Sequence, residues 1–211
     1  MRIEIFDLDI NNLSSIYSSI DKSRLPLDEI SIVRNLNESL SPDLIVLPGL
    51  GHFRAGMESL KSKRLDSLIS RHINENKKIV GICLGMQLLC EESEEAPGIE
   101  GLAAVKGRIR RLPLRVKAPH VGWNSVSSKF EDIQFPSLQI RKDFYFVHSF
   151  YAELYDECEV LTTTPLFDFE FCSSFLSKNV LGFQFHPEKS GRVGRSLISE
   201  IVEWARVDEI C

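Results

Sequence analysis

The sequence predicts an α/β fold in which a mostly parallel central sheet is flanked by helices and extended by antiparallel strands in its second half. Three observations predict it. Short apolar runs alternate with helix-period segments in the first half, closely spaced β-like runs follow Gly101, and a helical period returns at the end.

In chain order, Ile3 to Phe6 has a strand pattern, and Asn11 or Asn12 is placed to cap a helix through Tyr17 and Ile20. Ile30 to Val33 and the run DLIVLPG at 43–49 supply two more strands. From Ala55 to Ile73, Leu60, Leu65, Leu68 and Ile69 lie near helical spacing, and Lys78 to Ile82 is again a short apolar strand. Strand followed repeatedly by helix implies parallel pairing and a sheet covered on both faces. Beyond Gly101 the runs VKGRIRRLP, VGWNSVSS, DFYFVHSFYA, CEVLTTT, FDFEFCSSFL and VLGFQFHP read as antiparallel additions. The chain then closes with GRVGRSLISEIVEWARV, where Val193, Leu197, Ile201 and Trp204 share one helix face. No repeat, low-complexity tract or linker interrupts this order. A length of 211 residues with 43% apolar content suits one domain, 1–211, with one substantial core.

A formal net charge of -5 with mixed signs provides no basic face, so neither nucleic acid nor a membrane surface is expected as a partner. The opening MRIEIFDLDI has no signal-sequence pattern, and no apolar run approaches the roughly 18 residues of a membrane span, which predicts a cytoplasmic protein. The acidic EESEEAPG at 91–98 reads as a solvated helix end and loop. Five cysteines, at 83, 90, 158, 172 and 211, form an odd set without close pairs, as expected of reduced thiols rather than disulfides or a zinc site. Cys90, on the helix after Cys83, and Cys158 and Cys172, in strand-like runs, read as small buried hydrophobes, and Cys211 as a frayed terminus. His72 reads as helix surface.

Cys83 is different. In Gly81-Ile82-Cys83-Leu84-Gly85, glycines flank a potential nucleophile where a strand turns sharply into a helix, which would expose the sulfur at the carboxyl end of the sheet and favour a thiolate at the helix N-terminus. A buried cysteine in a glycine-containing turn would give the same pentapeptide. A base is the second requirement. His186 in GFQFHPEKS has Glu188 two residues on, within reach in extended chain, so the carboxylate would hold one imidazole nitrogen while the other takes the thiol proton. His52, His120 and His148 lie near loops or strand ends without such a partner. The turn Pro48-Gly49-Leu50-Gly51 follows another parallel strand, so the Leu50 amide together with that of Leu84 could receive a developing oxyanion, one such donor contributing about 3 to 4 kcal/mol. An ordinary strand-end turn would also account for PGLG.

The segments PGLGHF, GICLGMQLL and FHPEKS, in this order, resemble the class I glutamine amidotransferases, and GRIRRLP, PHVGWN and DFYFVHSFYA resemble the branch that forms the glutaminase subunit of imidazole glycerol phosphate synthase. The resemblance implies glutamine hydrolysis through a cysteinyl thioester, with Cys83, His186 and Glu188 as the triad and no cofactor. It also implies that Gly51, Gln87 and the main chain of Ser149 and Phe150 hold glutamine. The implied partner is a (β/α)8-barrel cyclase in a heterodimer, which receives ammonia, forms imidazole glycerol phosphate for histidine synthesis, and meets the segment Pro119 to Asn124, including His120 and Trp123, and Lys189. The chain departs from the family pattern at Leu8, Asp9 and Asn11 and at Phe167 and Asp168. A paralogue supplying ammonia to another synthase, such as one modifying a surface sugar, fits the same motifs. A catalytically silent subunit and a cysteine peptidase fit them less well, given the complete triad and Gln87.

Overall fold

The computed structural model describes residues 1–9, 13–131 and 133–207. The expected caps Asn11 and Asn12, the departure at Asn11, and Cys211 lie outside the described residues.

Helix α1 (Leu13–Asp21) joins strand β1 (Arg2–Phe6) to β2 (Glu29–Val33), a 3-10 turn at Leu36–Glu38 rather than a helix joins β2 to β3 (Leu44–Gly49), and α2 (Phe53–Ser62) and α3 (Leu65–Asn74) both precede β4 (Lys78–Cys83). The strands pair in parallel, in the order β2-β1-β3-β4. Every residue of β3 and β4 is buried, as a sheet covered on both faces requires. Alternation along β3 divides the core: Leu44 and Val46 pack in one cluster with Ile16 and Ile20 of α1, while Ile45 and Leu47 pack in the other with Met57 and Leu60 of α2 and Leu68 and Ile69 of α3.

The single helix expected from Ala55 to Ile73 is two. Arg64 adopts a left-handed backbone, φ 58°, between α2 and α3. The break is fixed by tertiary bonds at Lys63, whose carbonyl accepts from the Leu36 amide and whose Nζ reaches the Asp7 carbonyl at 2.6 Å and the Asp9 carboxylate at 2.7 Å. His72 is also corrected: it is 2% exposed, with Nε2 3.0 Å from the Lys78 carbonyl at the start of β4.

After β4 come the five-residue helix α4 (Leu84–Leu88) and the two-residue strand β5 (Glu92–Ser93). Cys90 is buried as expected but lies beyond the end of α4 rather than on it. The acidic segment at 91–98 is solvated at Glu92, Glu94, Pro97 and Gly98 but anchored at Ser93 and Ala96, which are buried, and Glu94 pairs with Arg110 at 2.9 Å. The later strands are β6 (Gly107–Arg111), β7 (His120–Ser128), β8 (Lys142–His148), β9 (Phe150–Leu154), β10 (Val160–Leu166), β11 (Phe169–Ser177) and β12 (Val180–Phe183), with the one-turn helix α5 (Pro136–Gln139) between β7 and β8. Apart from the parallel β5–β6 pair, they join one another antiparallel. Cys172 is buried on β11, whereas Cys158 is exposed in a 3-10 turn before β10 and is no core hydrophobe.

One strand does more than extend the sheet. β12 inserts beside β4 in parallel, with Gly182 opposite Gly81 and Phe183 opposite Ile82. That register carries the residues after Phe183 alongside Cys83. The closing helix α6 (Gly191–Trp204) then covers the face shared with α1, burying Leu197, Ile201 and Trp204. Among the described residues no helix is long and apolar enough to cross a membrane.

Candidate active site

Cys83 ends β4 with φ 53° and ψ -109°, a conformation that costs a non-glycine residue about 1 to 3 kcal/mol and that the surrounding packing must enforce. The enforcement is visible at two glycines. A Cβ on Gly85 would stand 1.7 Å from the Leu47 carbonyl oxygen, and one on Gly81 would stand 2.7 Å from the Met86 backbone. Only hydrogen fits at these places, so α4 can press against β3 and β4 and the turn between them stays sharp. Cys83 is 4% exposed, less open than the sequence suggests.

The sulfur lines a cavity of about 180 Å³ with Leu50, Gly51, Leu84, Gln87, Ser149 and Phe150. The structure thus brings together both expected oxyanion donors and all four expected substrate contacts. The β3–β4 register explains half of this, since Gly49 lies opposite Cys83 and the following turn must reach the cavity. The junction between β8 and β9 supplies the other wall. Glu95, Pro119, Val147 and His148 complete the lining. Glu95 escaped the sequence reading because its position depends on β5 pairing with β6; its Oε2 accepts from the Phe53 amide at 2.7 Å.

His186 approaches from β12. Its Nδ1 is 2.8 Å from Glu188 Oε1, and both side chains are nearly inaccessible. The i+2 contact arises in a 3-10 turn over Pro187–Lys189 rather than in the extended chain expected from sequence. Two bonds to β8 hold this turn, the His186 amide donating to the Tyr145 carbonyl at 2.9 Å and the Tyr145 amide donating to the Ser190 hydroxyl at 3.0 Å, and that hydroxyl donates to the His186 carbonyl at 2.6 Å. Nε2 is buried without a conventional hydrogen-bond partner, leaving it to the Cys83 sulfur. Burial works against a charged imidazole, but the sulfur and the Glu188 carboxylate outweigh it and push the pKa of His186 up to about 10.

His148 cannot substitute as the base. Its Nδ1 is 2.8 Å from the Phe150 carbonyl and its Nε2 is 2.9 Å from His120 Nδ1, while burial pushes its pKa down to about 3. Because a carbonyl only accepts, Nδ1 of His148 carries the proton and Nε2 receives one from His120.

A family model, glutamine amidotransferase class-I, matches residues 6–202. The chain belongs to the class-I glutamine amidotransferases. This amidotransferase is 39% identical over 205 residues to the imidazole glycerol phosphate synthase subunit HisH of Thermotoga maritima, covering 96% of this chain and 97% of that one. It is 43% identical over 197 residues to the HisH subunit of Pyrococcus furiosus, covering 93% and 96%. Two solved structures share its fold with a TM-score of 0.72: one described as a glutamine amidotransferase, at 16% identity with 97% and 99% coverage, and PurLQS from Thermotoga maritima, at 18% with 96% and 98%.

Of the residues expected at a partner, Pro119 lines the cavity and Lys189 directly follows Glu188. Trp123 is 57% exposed and stacks edge-on against Tyr145, with Gly191 beside its ring. Pro119 is exposed and Asn124 and Lys189 are half-buried, whereas the His120 ring is turned inward between Phe146 and His148. Of the departures from the family pattern, Leu8 is buried and Asp9 is ion-paired to Lys63. Phe167 and Asp168 form the turn between β10 and β11, with Phe167 81% exposed and Asp168 paired to Arg115. None of these lines the cavity. Among the described residues no group of histidine, cysteine and carboxylate side chains could hold a metal ion.

Proposed function

We propose that this amidotransferase is the glutaminase subunit of imidazole glycerol phosphate synthase and that Cys83, His186 and Glu188 hydrolyse glutamine. The observation that carries the reading is the convergence of a strained, cavity-lining thiol with a buried imidazole whose far nitrogen is fixed by a carboxylate. The Cys83 thiolate attacks the side-chain carbonyl carbon of glutamine, and the oxyanion meets the Leu50 and Leu84 amides. His186 gives its Nε2 proton to the departing nitrogen, ammonia leaves, and a γ-glutamyl thioester remains. His186 then takes a proton from water, the resulting hydroxide displaces sulfur, and glutamate departs. Glu188 keeps the ring oriented and favours its charged form.

Glutamine recognition follows from the same cavity. The Glu95 carboxylate suits the substrate ammonium, while Gln87, Gly51 and the Ser149–Phe150 main chain hold the rest. The (β/α)8-barrel cyclase docks on the Trp123 side, against Pro119, Asn124 and Lys189, and receives ammonia away from water. Support comes from relatives named as HisH subunits over nearly the full chain. The experiment is a glutaminase assay of the chain alone and with a cyclase subunit of that synthase, with and without its nucleotide substrate. Stimulation by that subunit is expected. Stimulation only by a different ammonia-using synthase would assign the chain to another pathway.

A further inference from the structure

Gln184 is fully buried, directly after β12, and its backbone amide is already satisfied by the Ser173 carbonyl at 2.9 Å. A long amide in a core needs partners at both ends, and those partners here are site residues. Its Oε1 accepts from Gln87 Nε2 at 3.0 Å, and its own Nε2 points at Cys83 Sγ at 3.8 Å. Gln87 Nε2 gives its second hydrogen to the Phe150 carbonyl at 3.1 Å. Both donors of Gln87 are therefore committed, and only its Oε1, an acceptor, remains for the cavity it lines.

We infer that Gln184 is a positioning residue that locks the Gln87 side chain with its carbonyl toward the substrate and donates a hydrogen bond to the Cys83 sulfur. This rests on the glutaminase reading above and extends it to a group that does not line the cavity. Two consequences separate. The lock on Gln87 makes that position select a substrate hydrogen-bond donor, so it acts on binding. The donor to sulfur favours the negative charge that the attacking atom carries, so it acts on turnover.

Gln184→Met removes both bonds at similar volume, while Gln184→Glu keeps the acceptor for Gln87 and loses the donor to sulfur. Steady-state glutaminase kinetics, with the partner that stimulates the wild type, are measured beside the rate of Cys83 alkylation by iodoacetamide at pH 7 and the melting temperature. Gln184→Met is expected to lower kcat about 10- to 100-fold and raise KM about fivefold. Gln184→Glu should lower kcat similarly with KM near wild type, and both should slow alkylation. Equal alkylation and an unchanged kcat in either folded variant would overturn the proposal, as would a KM change in Gln184→Glu matching that in Gln184→Met. If Gln184→Met does not fold, kcat and alkylation in Gln184→Glu decide the donor role, and Gln87→Met, which breaks the lock from the other side and should raise KM without slowing alkylation, decides the rest. A wild type that alkylates at Cys83 but hydrolyses no glutamine would reject the glutaminase reading and leave the alkylation comparison standing.

Discussion

At the scale of single residues, Cys83→Ser replaces one atom in a site that is already 4% exposed, so packing should survive while the nucleophile is lost. Glutamine turnover is expected to fall by more than about 1,000-fold with a melting temperature close to wild type. His186→Ala should be nearly as severe, because one imidazole serves both proton transfers. Glu188→Gln should cost less, about 100-fold, since the carboxylate acts through the ring. Steady-state rates of the three purified variants check the order. A Glu188→Gln loss exceeding that of His186→Ala would mean that Glu188 does more than orient its neighbour.

Among elements, the junction of β4 and α4 has the least tolerance. Gly85→Ala would drive a methyl into the Leu47 carbonyl on β3 and is expected to destabilise the fold by about 3 kcal/mol. Gly98→Ala meets nothing within 4 Å and should cost about 1 kcal/mol, through its φ of +80° alone. Urea unfolding of both variants makes the comparison. The same junction shows what the sequence could reveal. Gly81 and Gly85 mark it because close backbone approach leaves no room for a side chain, and β3 and β4 are legible because burial on both faces makes them continuously apolar. The break at Arg64 is not legible, since it is set by Lys63 bonds to loops remote in sequence. Glu95 and Gln184 are hidden for a related reason: their places follow from the registers of β5 and β12, which no local pattern encodes.

The whole molecule should record its buried imidazoles in its response to acid. Burial pushes the pKa of His72 down to about 4 and that of His148 to about 3, against an ordinary value of 6.5. Below that ordinary value the unfolded chain takes up protons that the native state refuses. Stability therefore falls as pH drops from about 6.5 toward 4, by about 1.4 kcal/mol per pH unit for each group. Asp28, held at about 2 by Arg206, adds nothing until the pH is lower still. His120, also lowered by burial, adds to this fall, whereas His186, raised to about 10, works the other way only above pH 6.5. Urea unfolding between pH 6.5 and 4.5 should show the decline, and His72→Gln should remove part of its slope. An unchanged slope in that variant would mean that His72 protonates as readily in the native protein as in the unfolded chain.

All of these scales meet in one covalent event, the transfer of a γ-glutamyl group to Cys83. The direct measurement is to quench the wild-type complex with acid during turnover of isotopically labelled glutamine, digest it, and locate the label by mass spectrometry. A γ-glutamyl thioester is expected on the Cys83 peptide, absent from Cys83→Ser and discharged by hydroxylamine. Label on another cysteine, or undiminished turnover in Cys83→Ser, would contradict it.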